Sequence, residues 1–128
     1  MKNSQLSTLN SQLVKERAER AKAYFQDGYN CSQSVFMAYA DLFDLDVELA
    51  SKFASSFGGG MGRLREVCGA CTGMFMVASM AIPADNKNAE AKKANYALVQ
   101  HLVSFLKSYV TLVMYIRTQK VMMFYSLL

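Results

Sequence analysis

Between Gly58 and Gly62 four of five positions are glycine, in the run Phe57-Gly-Gly-Gly-Met-Gly62. Glycine takes positive φ without steric cost, lets two backbones approach closely, and is a poor helix former. A regular helix does not pass through such a run, so the chain must change direction there. The remainder favours helices, with one proline, no tryptophan, and stretches rich in Ala, Leu, Lys and Met. The run lacks the Lys-Ser/Thr of a phosphate loop and follows no strand pattern. It reads as a tight connector between two helices, with a possible sharper role of presenting backbone N–H groups beside a thiolate or anion.

Helix signals recur on both sides of it. Leu9 to Asp27 carries Leu13, Val14, Ala18, Ala21, Tyr24 and Phe25 at helical spacing, with the charges of Lys15 to Lys22 as the solvated face, and Gly28 ends it. Asn30 and Gln33 stand as N-cap and N3 of a second helix, the spacing of a capping box. Its apolar face is Cys31, Val35, Phe36, Tyr39 and Leu42. Asp46 caps a third, with Val47, Leu49, Ala50, Phe53, Ala54 and Phe57 apolar. A fourth runs from about Cys68 to Ala81 with Met74, Phe75, Val77, Ala78 and Ala81 as its face, and Pro83 stops it. Asn86 or Asn88 caps a fifth that runs past His101. The expected fold is all-α, a compact bundle of about five helices with the Gly-rich loop between helices 3 and 4. With 128 residues, 52% of them hydrophobic, one helical domain over 1–128 is expected, with residues 1–8 a flexible N-terminus.

Past Leu102 the chain changes character. Residues 103–128 hold no Ala, Gly, Pro, Asn, Asp or Glu and are rich in Val, Tyr, Phe, Met and Leu. Left exposed on a monomer, this tail would invite aggregation, so it is expected to pack on the bundle or to form a homodimer through residues 103–128. The formal charge of +4 is uneven: residues 91–128 carry five Lys/Arg and no acid. These cations are scattered among apolar residues rather than clustered, which argues against a nucleic-acid partner. The uncharged run Val67 to Ala84 contains Gly69, Gly73 and Pro83, and Lys107, Arg117 and Lys120 break the C-terminal run. Neither is expected to be a transmembrane span. The polar start MKNSQLSTLNSQ lacks the apolar core of a signal peptide, so the expected location is cytoplasmic.

In a reducing compartment, three cysteines suit metal, redox or burial better than a disulfide framework. Cys68 and Cys71 form a Cys-x-x-Cys, and Cys31 stands alone upstream. Cys31 follows the cap of helix 2 and Cys68 opens helix 4, where free N–H groups and the helix dipole favour a thiolate. Arg63 and Arg65 add positive charge upstream of Cys68. Thiolates attack disulfides and bind soft metals, so zinc or an iron–sulfur cluster suits Cys31, Cys68 and Cys71 as candidate ligands. The competing reading is that the thiols are small core residues. His101, the only histidine, is a surface residue or a fourth ligand. No Ser-His-Asp set or paired carboxylates appear, because Asp41, Asp44, Asp46 and Glu48 read as turn and cap residues.

The segments GYNCSQSV, FGGGMGR and VCGACTG together resemble the family of redox-active proteins labelled C_GCAxxG_C_C. The likeness covers roughly Ala18 to Met80. It places a family cysteine at Cys31 and the CGAxxG motif at Cys68, Gly69, Ala70 and Gly73. It implies a thiol or metal site, read here with Cys68 as primary thiolate and Cys31 as its partner; Cys71 falls in a variable position of the motif and is either incidental or a third ligand or resolving thiol. It implies neither a known reaction nor a substrate or redox partner. The family pattern carries two further cysteines near the C-terminus, and this chain has none after Cys71. Residues from about Val103 are therefore read as a divergent or frame-shifted end, and a thiol oxidoreductase activity as lost if those cysteines are essential. The alternative is a non-catalytic helical module that dimerises through its tail.

Overall fold

The computed structural model describes residues 3–84 and 87–127, with side chains described at residue 5 and over 7–84 and 87–108. Five α-helices appear, α1 Asn3–Gln26, α2 Cys31–Tyr39, α3 Val47–Ala54, α4 Gly69–Ala81 and α5 Ala89–Leu127, and there is no strand among the described residues. The fold is all-α, as the helix signals require, and the glycine run lies between α3 and α4. The chain divides into two compact units, Met1–Pro83 and Ala84–Leu128.

Local chemistry sets the helix ends in the first unit. Gly28, at φ +104°, closes α1: its N–H donates to Phe25 O at 3.2 Å and that of Tyr29 to Tyr24 O at 3.1 Å. This is a Schellman motif, and the accompanying apolar contact is the edge-to-face pair Tyr24–Tyr29, with ring centroids 5.8 Å apart. α2 opens with the expected capping box: Asn30 Oδ1 accepts from Gln33 N and Gln33 Oε1 from Asn30 N, both at 3.0 Å. A 3₁₀ turn, Ala40–Phe43, ends α2, and Asp46 then caps α3 by accepting from Leu49 N at 2.8 Å. Ile82 before Pro83 has left the helical region, with φ −131° and ψ 79°, and α4 stops.

The start of α2 is tied to the end of α3. Asn30 Nδ2 donates to Ser55 O at 2.9 Å, and Gln33 Nε2 to Ser51 O at 3.1 Å. The fully buried Ser32 hydroxyl donates to Ala54 O at 2.6 Å. Three carbonyls at the end of α3, where intrahelical donors run out, thus find partners on α2. The core lies around α2, with Phe36, Met37, Ala40, Ala50, Ala54 and Val77 buried, and Tyr24, Tyr29, Phe43 and Met76 packed against it.

Several expected faces are corrected. On α1, Leu13, Val14 and Phe25 are exposed. Arg17, read from the sequence as solvated, is only 4% exposed. Its guanidinium donates to Ala38 O at 2.8 Å and to Asp41 Oδ1, and lies 5.8 Å from the centroid of the Tyr39 ring. Polar groups at the end of α2 therefore draw in a cation where periodicity alone would place leucine and valine. On α3 the alanines are buried and Phe53 is 62% exposed, because small residues let α3 lie close to α2.

In the second unit, Asn88 Oδ1 accepts from Glu90 N and Ala91 N at 3.1 Å and opens α5, which runs through the compositional break to Leu127. Side chains at 109–128, most of the tail on which the homodimer expectation rests, lie outside the described residues. No helix among the described residues is long and apolar enough to cross a membrane.

Candidate thiol site

The loop after α3 has an unusual hand. Gly59, Gly60, Met61, Gly62, Arg63 and Arg65 all have φ between +58° and +78°. Long backbone bonds fold it on itself: Arg63 N donates to Gly58 O at 3.1 Å, Arg65 N to Gly59 O at 3.2 Å, and Glu66 N to Gly60 O at 3.2 Å. Three glycines make such a path accessible, and cross-bonding holds Met61, Arg63 and Arg65 in it against their own preference. The loop delivers the chain to Cys68, the N-cap of α4.

The three thiols are free and occupy different settings. Cys68 is exposed, and no side-chain bond ties it to the helix it caps. Cys71, at N3 of the same turn, is half-buried. Burial first, then the neighbouring Cys68, push the Cys71 thiol above its ordinary value. Cys31, the first residue of α2, is half-buried. Its sulfur lies against the backbone of Gly69, the residue after Cys68: a Cβ built on Gly69 would stand 2.6 Å from Cys31 Sγ and 2.9 Å from Phe57 O.

That contact gives the two motif glycines a physical reason. A Cβ on Gly73, one turn further, would stand 2.9 Å from Ser32 O and 3.0 Å from Val35 Cβ. The first is shorter than real Cβ contacts and the second is tighter than nearly all of them, so glycine at 69 and 73 lets α4 meet the start of α2 this closely. Thr72, between them, turns its hydroxyl back to Gly69 O at 2.9 Å. The site is therefore where two helix starts cross, α2 bringing Cys31 and α4 bringing Cys68 and Cys71.

The structure thus places Cys68 and Cys71 in the first turn of α4 and sets Cys31 against Gly69, the residue between Cys68 and the rest of that turn. His101 is exposed on α5, in the other unit. Among the described residues, no group of three or more His, Cys, Asp or Glu side chains is arranged to hold a metal ion. Sequence reasoning missed Ser32 and Phe57, whose backbone atoms line the contact with Gly69. Ser32 was legible only as part of a cap sequence, and the Phe57 carbonyl carries no sequence signal.

A family model described as "Putative redox-active protein (C_GCAxxG_C_C)" matches residues 29–117, which include all three cysteines and run into the apolar tail. No curated protein and no solved structure matches the chain.

Proposed function

The chain belongs to the C_GCAxxG_C_C family of putative redox-active proteins, and we propose that it is a dithiol redox protein in which Cys68 attacks and Cys71 resolves. The observation that carries this reading is the placement of the pair: an exposed thiol at the N-cap of α4 and a half-buried thiol at N3 of the same turn. Attack requires access and thiolate character, and resolution requires a second thiol within one helical turn.

The chemistry balances with the thiols alone. Cys68, its proton lost to solvent, attacks one sulfur of a disulfide partner. The Cys68–partner S–S bond forms as the partner's own S–S bond breaks, and the displaced sulfur leaves as a thiolate that takes up a proton. Cys71 then gives up its proton and attacks the Cys68 sulfur. The Cys68–Cys71 disulfide forms, and the partner's second sulfur departs and is protonated. Two electrons pass from this chain to the partner, and an external dithiol donor restores the reduced pair.

This reading moves the primary partner of Cys68 from Cys31 to Cys71. A shared zinc ion or iron–sulfur cluster on Cys31, Cys68 and Cys71 fits less well, because these residues are not gathered as a ligand set. The test is to react the reduced full chain with hydroxyethyl disulfide and map the products, alongside elemental analysis of anaerobically purified protein. A Cys68–Cys71 disulfide as first product, lost in Cys68→Ser, is the expected result. Three unreactive native thiols, or stoichiometric metal that protects all three, would overturn it.

A further inference from the structure

The surface from which Cys68 reacts says what kind of disulfide it meets. Every residue from Gly62 to Cys68 is exposed, so the stretch leading to the attacking thiol, called the ridge below, faces solvent along its whole length. A small disulfide gains few contacts on such a surface, since small ligands are bound where walls enclose most of their area. A partner's surface can cover a ridge. This one carries two apolar side chains, Leu64 at 72% exposure and Val67 at 40%. Around them stand Arg63 and Arg65, against the single acid Glu66. Its backbone is already fixed, because the N–H groups of Arg63, Leu64, Arg65 and Glu66 all donate within the loop. Little freedom is lost when a partner settles on it.

We propose that residues 62–67 are the docking ridge for a protein partner whose reducible disulfide lies in an acidic segment with an apolar contact. The inference rests on the dithiol reading above, and the covalent steps are those given there: the partner's disulfide is reduced by two electrons and Cys68–Cys71 is oxidised. Leu64 and Val67 supply the desolvated centre. The two arginines supply the sign of the charge, and arginine is the cation best suited to carboxylates. The Gly-rich run acquires a purpose in this scheme. It folds the chain back so that a cationic, apolar segment is presented rigidly beside the nucleophile.

The test uses the reduced full chain and three disulfides: neutral hydroxyethyl disulfide, a disulfide-bridged peptide with acidic residues flanking a leucine, and the same peptide with those acids changed to lysine. Rates are read by quenching and mass analysis, with dithiothreitol as the regenerating donor. At low ionic strength the acidic peptide is expected to react roughly tenfold or more faster than its basic twin. That preference is expected to collapse at high salt, where screening shortens to a few ångströms. It should also collapse in Arg63→Asn/Arg65→Asn, since asparagine tolerates positive φ and keeps the loop path. The hydroxyethyl disulfide rate of that variant reports any change in the reactivity of Cys68 itself, and the two peptide rates are read as ratios to it. Equal rates for the two peptides, with hydroxyethyl disulfide reacting normally at Cys68, overturn the docking ridge and leave the dithiol reading standing. Failure of Cys68 to react with hydroxyethyl disulfide overturns the dithiol reading and this inference with it. The salt arm needs no variant, so a folding defect in the double substitution does not shelter the idea.

Discussion

Replacing Gly69 with alanine sets two effects of opposite sign against each other. In a helix, Gly→Ala gains up to about 1 kcal/mol from propensity, and less in the first turn, where Gly69 sits. Against this, the new Cβ would stand 2.6 Å from Cys31 Sγ, 2.9 Å from Phe57 O and 3.3 Å from Ser32 N. Two of these three are backbone atoms and cannot swing away, so α4 must move off α2. Overpacking of this kind costs about 1–3 kcal/mol. The net expectation is a loss of about 1–2 kcal/mol, or a melting temperature lower by roughly 5–15 °C for a unit of this size. Thermal melting followed by circular dichroism reads it. Combining Gly69→Ala with Cys31→Ala removes the shortest contact and leaves the Phe57 carbonyl. The double variant should therefore recover about 0.5–1 kcal/mol relative to additivity. If Gly69→Ala melts at or above the parent, propensity has won and the close-contact explanation of the motif glycine is wrong.

Two other expectations follow from the charges and thiols. Cys71→Ser should stall the reaction at a mixed disulfide on Cys68, visible as a stable mass adduct. In the parent, the resolving step should speed up with rising pH until pH passes the raised Cys71 value, because only the thiolate attacks. The folded chain holds the Cys71 proton more tightly than the unfolded one, so stability from this group is full below the ordinary thiol value and falls as pH rises through the raised one. Asp41→Asn should cost about 1–2 kcal/mol in urea unfolding. It puts a neutral amide with one acceptor oxygen where the buried Arg17, whose Nε already lacks a partner, faces a carboxylate, while the 47% exposure of Asp41 keeps the loss at the lower end for a buried pair. Hydrogen bonding from Arg17, then Arg20, holds the Asp41 carboxyl below its ordinary range. The stabilisation is therefore present above the ordinary carboxylate value and disappears as acid protonates the folded form.

How much the sequence discloses depends on where each decision is made. The end of α1 and the starts of α2 and α3 are written in single residues with local duties, Gly28, Asn30 with Gln33, and Asp46, and all of them perform as read. The buried face of α1 is not local. It is decided by Asp41, twenty-four residues beyond Arg17, and no periodicity within α1 reports that. The glycine run shows where the chain turns but not its hand through Met61, Arg63 and Arg65, because the bonds that hold those residues lie between backbone atoms. At the site, the sequence marks three thiols and two helix starts. It cannot say which sulfur faces which, because that depends on how closely α4 crosses α2.

In the four residues Asn30 to Gln33, the side chains of Asn30, Ser32 and Gln33 each hold the end of α3. Cys31 stands among them with its sulfur turned instead to Gly69. A change at any of the three polar positions is felt by two helices at once, so those letters are bound by architecture. The thiol is answerable only to the turn that carries the reactive pair. In evolutionary terms it is the one letter of the four that selection can set by chemistry, on a frame its neighbours keep still.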